Sequence, residues 1–543
     1  MVMSDSSARH WFWSVVITFG VAWTFFPLYA IANYRPDVIE QFFVGREWVM
    51  ASGKHPALTA WVLEGMACLL RNASFVPYLV SQLFVVATIW AIWRLGREYL
   101  SEKLAILAVF AMLNYWFFHF ESTLYNNNIT LDAVWALTVY FALMAFTRNR
   151  LFYWLMTGIT IGVGLYFKYT LIILAFTLVG FLCGNRRGRR LWRNYGPWVT
   201  TGIALLIFLP YFLWLSKHDF ITLQYAAGTV ADGKYLKHII CPLHFVGTQI
   251  PYLIPIVIPL IPLCGWIGKW NRNRTDTYEN IAVFSVPQVL SEKNNDQNDD
   301  NFTGVDKTSF PNDDSCQKMR FKERYLMTIV LAPFLFQLIF AGIRGYYLRG
   351  ALGCQLWLFF TVFLLYFLQR DERPKQLRLS GKLSLGMAVL FLFLFSAGAK
   401  YSPYLTGKGD RYQFPGKKLA QSAEALWHSK YQKPLPWATG EWWLAGNVAV
   451  YGSDRARVHG RDGAKEFFNG GPLSTWSEDS DVRKDGGIVL WTIHDNNEAV
   501  PATLKEHFPA TIVQEPFVLD WQTTAKIPPV VIGVAVVPPE QSR

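Results

Sequence analysis

Residues 36–62 read PDVIEQFFVGREWVMASGKHPALTAWV. Apolar residues recur through the stretch at helical spacing, Val38, Phe42, Phe43, Trp48 and Val49, then Leu58, Trp61 and Val62, and on to Met66 just beyond it. That pattern predicts helices lying in an interface plane. Asp37 and Glu40 stand one helical turn apart, so both carboxylates can share a face. Lys54, His55 and Pro56 come just before the second apolar run.

Long apolar runs lie on either side. A membrane span needs about 20 apolar residues. One run, at 11–32, precedes the stretch; it lacks a small-residue cleavage site and reads as an uncleaved anchor. After it come runs at 75–93, 104–120, 129–146, 152–167, 170–183, 197–215, 245–267, 325–341, 351–368 and 383–399. The expectation is an α-helical polytopic membrane protein of about eleven transmembrane helices. Basic clusters at 94–103, 148–150, 186–193, 269–274, 318–324 and 370–382 all fall on one side of that arrangement. The excess of Lys and Arg on one side places the N-terminus in the cytoplasm and the C-terminal segment outside.

Three extramembrane pieces remain. Residues 33–74 form the first external loop. Residues 275–315, with the run EKNNDQNDDN, read as a disordered cytoplasmic insertion. Residues 400–543 carry strand-like runs at 448–451, 487–491, 511–513 and 530–537, separated by turn residues, and predict an external α/β domain following a transmembrane domain of 1–399.

Composition agrees. Charged residues are 17% of the 543-residue chain, and aromatics 16%, against roughly 25% charged in an average soluble domain. The mean hydropathy of +0.20 is modest for a polytopic chain, as expected if soluble parts dilute the signal. The net charge of +12 sits largely in short loops between apolar runs, which points to topology and anionic lipid rather than nucleic acid. Six scattered cysteines without a CxxC pair form neither a disulfide framework nor a zinc site.

Ionisable and amide side chains gather on the external face. Besides Asp37, Glu40, Lys54 and His55 there are YNNNITLD at 125–132, with Asn126, Asn127, Asn128 and Asp132; Lys168-Tyr169 between two short spans; and IRGYYLRG at 343–350, with Arg344 and Arg349. Each has an ordinary alternative. Asp37 and Glu40 can serve a helix N-terminus, Lys54 and His55 can anchor to headgroups, Lys168, Arg344 and Arg349 can snorkel to lipid phosphate, and the asparagines can form a turn.

The ordered set resembles bacterial membrane glycosyltransferases of the protein O-mannosyltransferase and aminoarabinose transferase superfamily (glycosyltransferase family 39), which have a C-type glycosyltransferase fold. The stretch at 36–62 is similar to the family's Asp-x-x-Glu … His-Pro-Pro-Leu pattern. YNNNITLDAVWAL, WLMTGITIGVGLYFKYTLIIL, LRGALGCQLW and EWWLAGNVAVYGSDRARVH follow in the family's order, nearest to the galacturonosyltransferase-like branch that decorates lipopolysaccharide. Ala57 departs from the second Pro of the pattern, and the 275–315 insertion is not a family feature.

The resemblance implies transfer of a sugar from a polyprenyl-phosphate donor to a glycolipid acceptor, lipid A or lipopolysaccharide core, at the periplasmic face of a bacterial inner membrane. It implies catalytic roles for Asp37 and Glu40. It implies donor-phosphate contacts from Lys54, His55, Lys168, Tyr169 and Arg349, and substrate contacts from Asn126, Asn128 and Arg344. A divalent metal held by Asp37, Glu40 and His55 stays open as the one cofactor. No GxGxxG-plus-acid fingerprint for a nucleotide sugar is present. A protein hydroxyl as acceptor, and a lipid-linked sugar transporter or flippase, are the alternatives; the latter predicts ionisable residues at span centres and paired broken helices.

Overall fold

The computed structural model describes residues 5–228, 236–264, 313–368, 374–462, 471–472, 475–493, 500–501 and 503–540. The insertion expected at 275–315 lies outside the described residues up to 312.

Seven helices among the described residues are long and apolar enough to cross a membrane: Ser7–Ala30, Val76–Gly96, Asn127–Arg148, Tyr195–Lys217, Lys237–Leu263, Gln317–Arg344 and Pro374–Thr406. A bent pair, Glu102–Met112 and Trp116–Leu124, meets at 74° and makes an eighth where it is counted as one broken span. The Asn114 amide sits at the break and donates to the Phe110 and Ala111 carbonyls at 3.2 and 3.3 Å, giving the ended helix partners for its last carbonyls. The expected count of about eleven is reached only by adding three shorter pieces. Two are the apolar helices Leu151–Phe167 and Leu171–Gly184. The third is a correction: the run at 351–368 is not a regular span. It is a 3-10 turn, Gly350–Gly353, followed by turns and the nine-residue helix Phe360–Leu368.

Asn127–Arg148 is the hub of the bundle. Its most apolar window is 89% buried, against 17% for Tyr195–Lys217 and 22% for Pro374–Thr406. The outer helices therefore keep apolar faces for lipid, whereas the hub is covered by protein. Leu151–Phe167 packs tightly on Tyr195–Lys217 through Gly158 and Gly162. A Cβ at those positions would lie 2.7 Å from the Thr200 carbonyl oxygen and 2.8 Å from Ile207 Cβ, so only glycine permits this approach.

The C-terminal part is an α/β unit with a mixed six-stranded sheet: β1 (Trp437–Glu441), β2 (Arg457–Asp462), β3 (Gly471–Pro472), β4 (Gly487–Thr492), β5 (Ile512–Leu519) and β6 (Val530–Val537), in the order β3-β2-β1-β4-β6-β5. β1 is parallel to β2 and β4, and β6 is antiparallel to β4 and β5. The strand expected at 448–451 is instead the end of the helix Trp442–Tyr451. A short apolar run buried on all sides has no period by which to choose between strand and helix. Here Gly446 sits against Ile39 and Phe43, a contact that packs a helix on a helix.

The first loop folds as the helices Pro36–Arg46 and Leu58–Leu69. Much of their apolar surface is covered by protein, while Trp48 and Leu69 stay exposed. Val38 and Phe42 join Leu63, Val76, Val80 and Tyr125 on the bundle side. Ile39 and Phe43 join Leu419, Ala445, Val448 and Leu490 of the C-terminal unit. The loop is the filling between bundle and sheet domain.

Candidate active site

Two helix N-termini meet beneath this filling. Pro36 opens one helix with a fixed φ, which puts Asp37 in its first turn, where a carboxylate suits the dipole. Asn126 caps the other. Its Oδ1 accepts from the backbone N–H groups of Asn128 and Ile129 at 3.0 and 3.4 Å. The same side chain uses its other end to donate Nδ2–H to Asp37 Oδ2 at 2.8 Å. Tyr125, just before it, is held at φ 37, an uncommon left-handed conformation for a non-glycine residue. Its buried hydroxyl donates to the Thr59 carbonyl at 2.9 Å, which secures that turn against the Leu58–Leu69 helix.

The three asparagines divide the work. Asn126 holds Asp37. Asn127, buried, donates to the carbonyls of Phe167 at 2.8 Å and Pro56 at 3.5 Å, and accepts from Gln41 Nε2 at 3.3 Å. It thereby joins the Lys168 turn to the Lys54 loop. Asn128 accepts from Lys168 Nζ at 2.5 Å. Beneath them, Gln355 donates to Asp132 Oδ1 at 2.7 Å and to the Asn128 carbonyl at 3.3 Å, which ties in the segment following Arg349.

The cations face one another across this frame. Burial pulls the Lys168 ammonium below the ordinary lysine value; Asp132 and Asp37 oppose that pull and Arg349 adds to it. Burial, with Lys168 and Lys54 nearby, draws His55 down to about 3, so its ring is neutral at neutral pH. Lys54 Nζ lies 3.4 Å from Glu40 Oε2 and 5.1 Å from the centre of the Trp442 ring. The arrangement is a carboxylate held by a neutral amide, with two ammonium groups near a neutral imidazole. An anion entering it would relieve the repulsion among the cations.

Not every expected residue joins. Asp37 and Glu40 lie on neighbouring turns but are drawn to different partners, Asn126 and Lys54. Asp37, Glu40 and His55 do not form a metal set; among the described residues no three His, Cys, Asp or Glu side chains are gathered to hold an ion. The Tyr169 hydroxyl is occupied with those of Tyr211 and Thr222, away from the Lys168 ammonium. Arg344 is exposed at the end of the Asp313–Arg344 helix, with no hydrogen bond or ion pair to the cluster. Gln41, Asn127, Asp132, Gln355 and Trp442 join this cluster, although the resemblance assigned none of them a role. Asn127 and Asp132 stand inside the quoted motif and could have been chosen with their neighbours. Gln41, Gln355 and Trp442 also lie inside quoted stretches, but nothing there sets them apart from their neighbours.

Comparison with known proteins bears on the fold around this site. Residues 54–214, under a third of the chain, match the family model described as dolichyl-phosphate-mannose-protein mannosyltransferase. The crystal structure of ArnT from Cupriavidus metallidurans bound to undecaprenyl phosphate superposes with a TM-score of 0.52 at 12% identity, over 96% of this chain and 97% of that one. The archaeal oligosaccharyltransferase AglB from Archaeoglobus fulgidus, in complex with an inhibitory peptide and a dolichol-phosphate, gives a TM-score of 0.41 at 12% identity, over 83% of this chain and 64% of that one. No curated protein sequence matches the chain. The family match covers part of the chain, and the superposition shows the fold: a polytopic helical bundle with a C-terminal sheet domain. Within that fold the chain shares the architecture of the ArnT structure from end to end.

Proposed function

We propose that this protein transfers a sugar from a polyprenyl-phosphate donor to an envelope acceptor, lipid A or lipopolysaccharide core, at the periplasmic face of the bacterial inner membrane. The observation that carries the reading is the Asp37 carboxylate held by Asn126, with Lys54 and Lys168 both near His55 and the exposed Arg349 near enough to bear on Lys168. The basic clusters between spans support a cytoplasmic N-terminus and a periplasmic C-terminal domain. The undecaprenyl phosphate in the ArnT structure supports a lipid-phosphate donor.

In this reaction an acceptor oxygen attacks the anomeric carbon and the bond from that carbon to the phosphate oxygen breaks. The acceptor proton passes to Asp37, which Asn126 keeps in place. Polyprenyl phosphate leaves with the bonding electron pair. Lys54, Lys168 and Arg349 stabilise the charge that develops on it in a site already organised before the donor arrives. His55 donates a neutral hydrogen bond without adding a third repelling charge beside the two lysines. An acceptor that is itself a phosphate needs less proton removal, and Asp37 then positions it. Protein hydroxyls are the second acceptor class, favoured by the description of the matching family model.

Mass spectrometry of lipid A and core oligosaccharide from cells with the wild-type gene, a deletion and Asp37→Asn tests the reading. A sugar-sized mass lost in both mutants, with the variant protein still in the membrane, identifies sugar and acceptor. Unchanged glycolipids with changed glycoproteins select the protein acceptor; no change in either rejects the transferase.

A further inference from the structure

We infer that the C-terminal domain is a working part of the transfer site, with Trp442 and Thr475 as positioning residues that hold the Lys54 loop from two sides. The inference rests on the reading that Lys54 takes the donor phosphate. The loop is small and tightly closed. Ala51 and Pro56 pair as an isolated antiparallel bridge, and the Ser52 hydroxyl accepts from the backbone N–H groups of Lys54 and His55 at 3.3 Å each. Its local bonds set the loop's shape but leave the long lysine stem to be fixed by something else.

The sheet domain supplies that from above. Trp442, the first residue of its helix, presents its ring 5.1 Å from Lys54 Nζ, which also pairs with the Glu40 carboxylate at 3.4 Å. An ammonium over an indole face is attracted by the ring, though less than by a phosphate, so the contact can hold Lys54 ready and yield when the donor enters. Thr475 Oγ1 donates to the Ala51 carbonyl at 2.6 Å. The segment bearing Thr475 is itself fastened to the sheet. The Trp476 indole donates to the Val458 carbonyl at 3.0 Å, and His459 joins Ser477 Oγ at 2.9 Å and Asp479 at 2.7 Å. His507 grips the other oxygen of Asp479 at 2.6 Å. Burial opposes ionisation of Asp479, yet its hydrogen bonds to the two histidines hold it well below the usual carboxylate range.

General adhesion between domain and loop is supplied elsewhere. Arg457 grips Glu47 with two nitrogens, at 3.0 and 2.7 Å, and Arg455 reaches Glu64 at 3.0 Å. Trp442 and Thr475 differ in touching the loop that carries the cation. Fixing a flexible lysine before the donor arrives lowers the ordering cost of binding, so the effect falls on donor affinity rather than on chemistry.

Steady-state transfer and Lys54 amine labelling read by mass spectrometry, on the full chain, test this together. Trp442→Leu and Thr475→Val should raise KM for the polyprenyl-phosphate donor about three- to tenfold, with kcat within about twofold. Trp442→Phe and Thr475→Ser, which keep the ring and the hydroxyl, should restore KM, and Arg457→Gln should leave it near wild type. Lys54 should label faster in Trp442→Leu. An unchanged KM in both disruptive variants, no rescue by Phe and Ser, or an equal rise in Arg457→Gln overturns the inference. If the wild-type protein transfers no sugar, the proposed function fails. The labelling rate then decides the positioning role alone, and an unchanged rate overturns it.

Discussion

Replacing Asn126 separates its two tasks. The side chain caps a helix with its oxygen and holds Asp37 with its nitrogen. Asn126→Ala loses both. The lost cap costs about 1 kcal/mol, and a hydrogen bond to a charged group is worth about 1.5–3 kcal/mol. Asp37 is half-buried, so the lower end applies. The alanine variant should therefore lose about 2.5 kcal/mol of stability. Asn126→Ser keeps a good capping oxygen but has no amide to reach Asp37, and should lose about 1.5 kcal/mol. At about 1.4 kcal/mol per decade, a carboxylate released from this bond should lower kcat about tenfold in both variants. Asn126→Asp keeps size and cap while setting a second carboxylate against Asp37. It should fold and show the largest loss of kcat. Thermal unfolding and transfer kinetics on protein in lipid nanodiscs supply both readouts. A serine variant with wild-type kcat would refute the idea that Asn126 positions Asp37. So would a loss of kcat that merely tracks stability across the three variants.

Lys168→Met should keep the fold and weaken donor binding by about 10- to 100-fold, the worth of one charge-assisted bond to phosphate, as measured by titration with a polyprenyl phosphate. His55 supplies a pH test. Its folded value, about 3, lies below its ordinary value of 6.5, so the unfolded chain binds the extra proton between them. Stability is therefore fully present above the ordinary value and falls as pH drops toward the folded one. The unfolding temperature of wild-type protein should drop more steeply from pH 7.5 to 4.5 than that of His55→Gln, and parallel curves would contradict a buried neutral ring.

The spans were legible because lipid demands long apolar runs, and the hub helix, the outer helices and the broken span all stand near where those runs fall. The run at 351–368 misled because composition reports only that a segment is apolar. It does not reveal that Gln355 must turn toward Asp132 and Asn128, which breaks the helix before Phe360. The Asn-rich motif was visible as a motif. Its division of labour was not, since each amide finds a partner far away in sequence: Asp37 for Asn126, Phe167 for Asn127, Lys168 for Asn128. Trp442 and Thr475 were invisible for the same reason, because their site roles exist only once the sheet domain docks on the first loop.

That docking explains why the loop's polar residues sit deep. Glu64 is buried between Arg46 and Arg455, at 4.0 and 3.0 Å. Burial, chiefly, and the neighbouring Arg455 draw Arg46 down to about 10, against the opposing pull of Glu64. A buried ion pair adds little net stability over apolar packing, but removing one partner strands the other, so such groups fix one arrangement rather than many. The apolar faces of the Pro36–Arg46 helix could slide along their neighbours at small cost; a carboxylate with two arginines from opposite sides of the interface cannot. Asp37 lies on the first of these helices, and the Lys54 loop joins it to the second. The register that matches Arg455 to Glu64 is therefore also the register that sets Trp442 over Lys54 and Thr475 against Ala51. The ion cluster and the transfer site are two consequences of a single docking geometry.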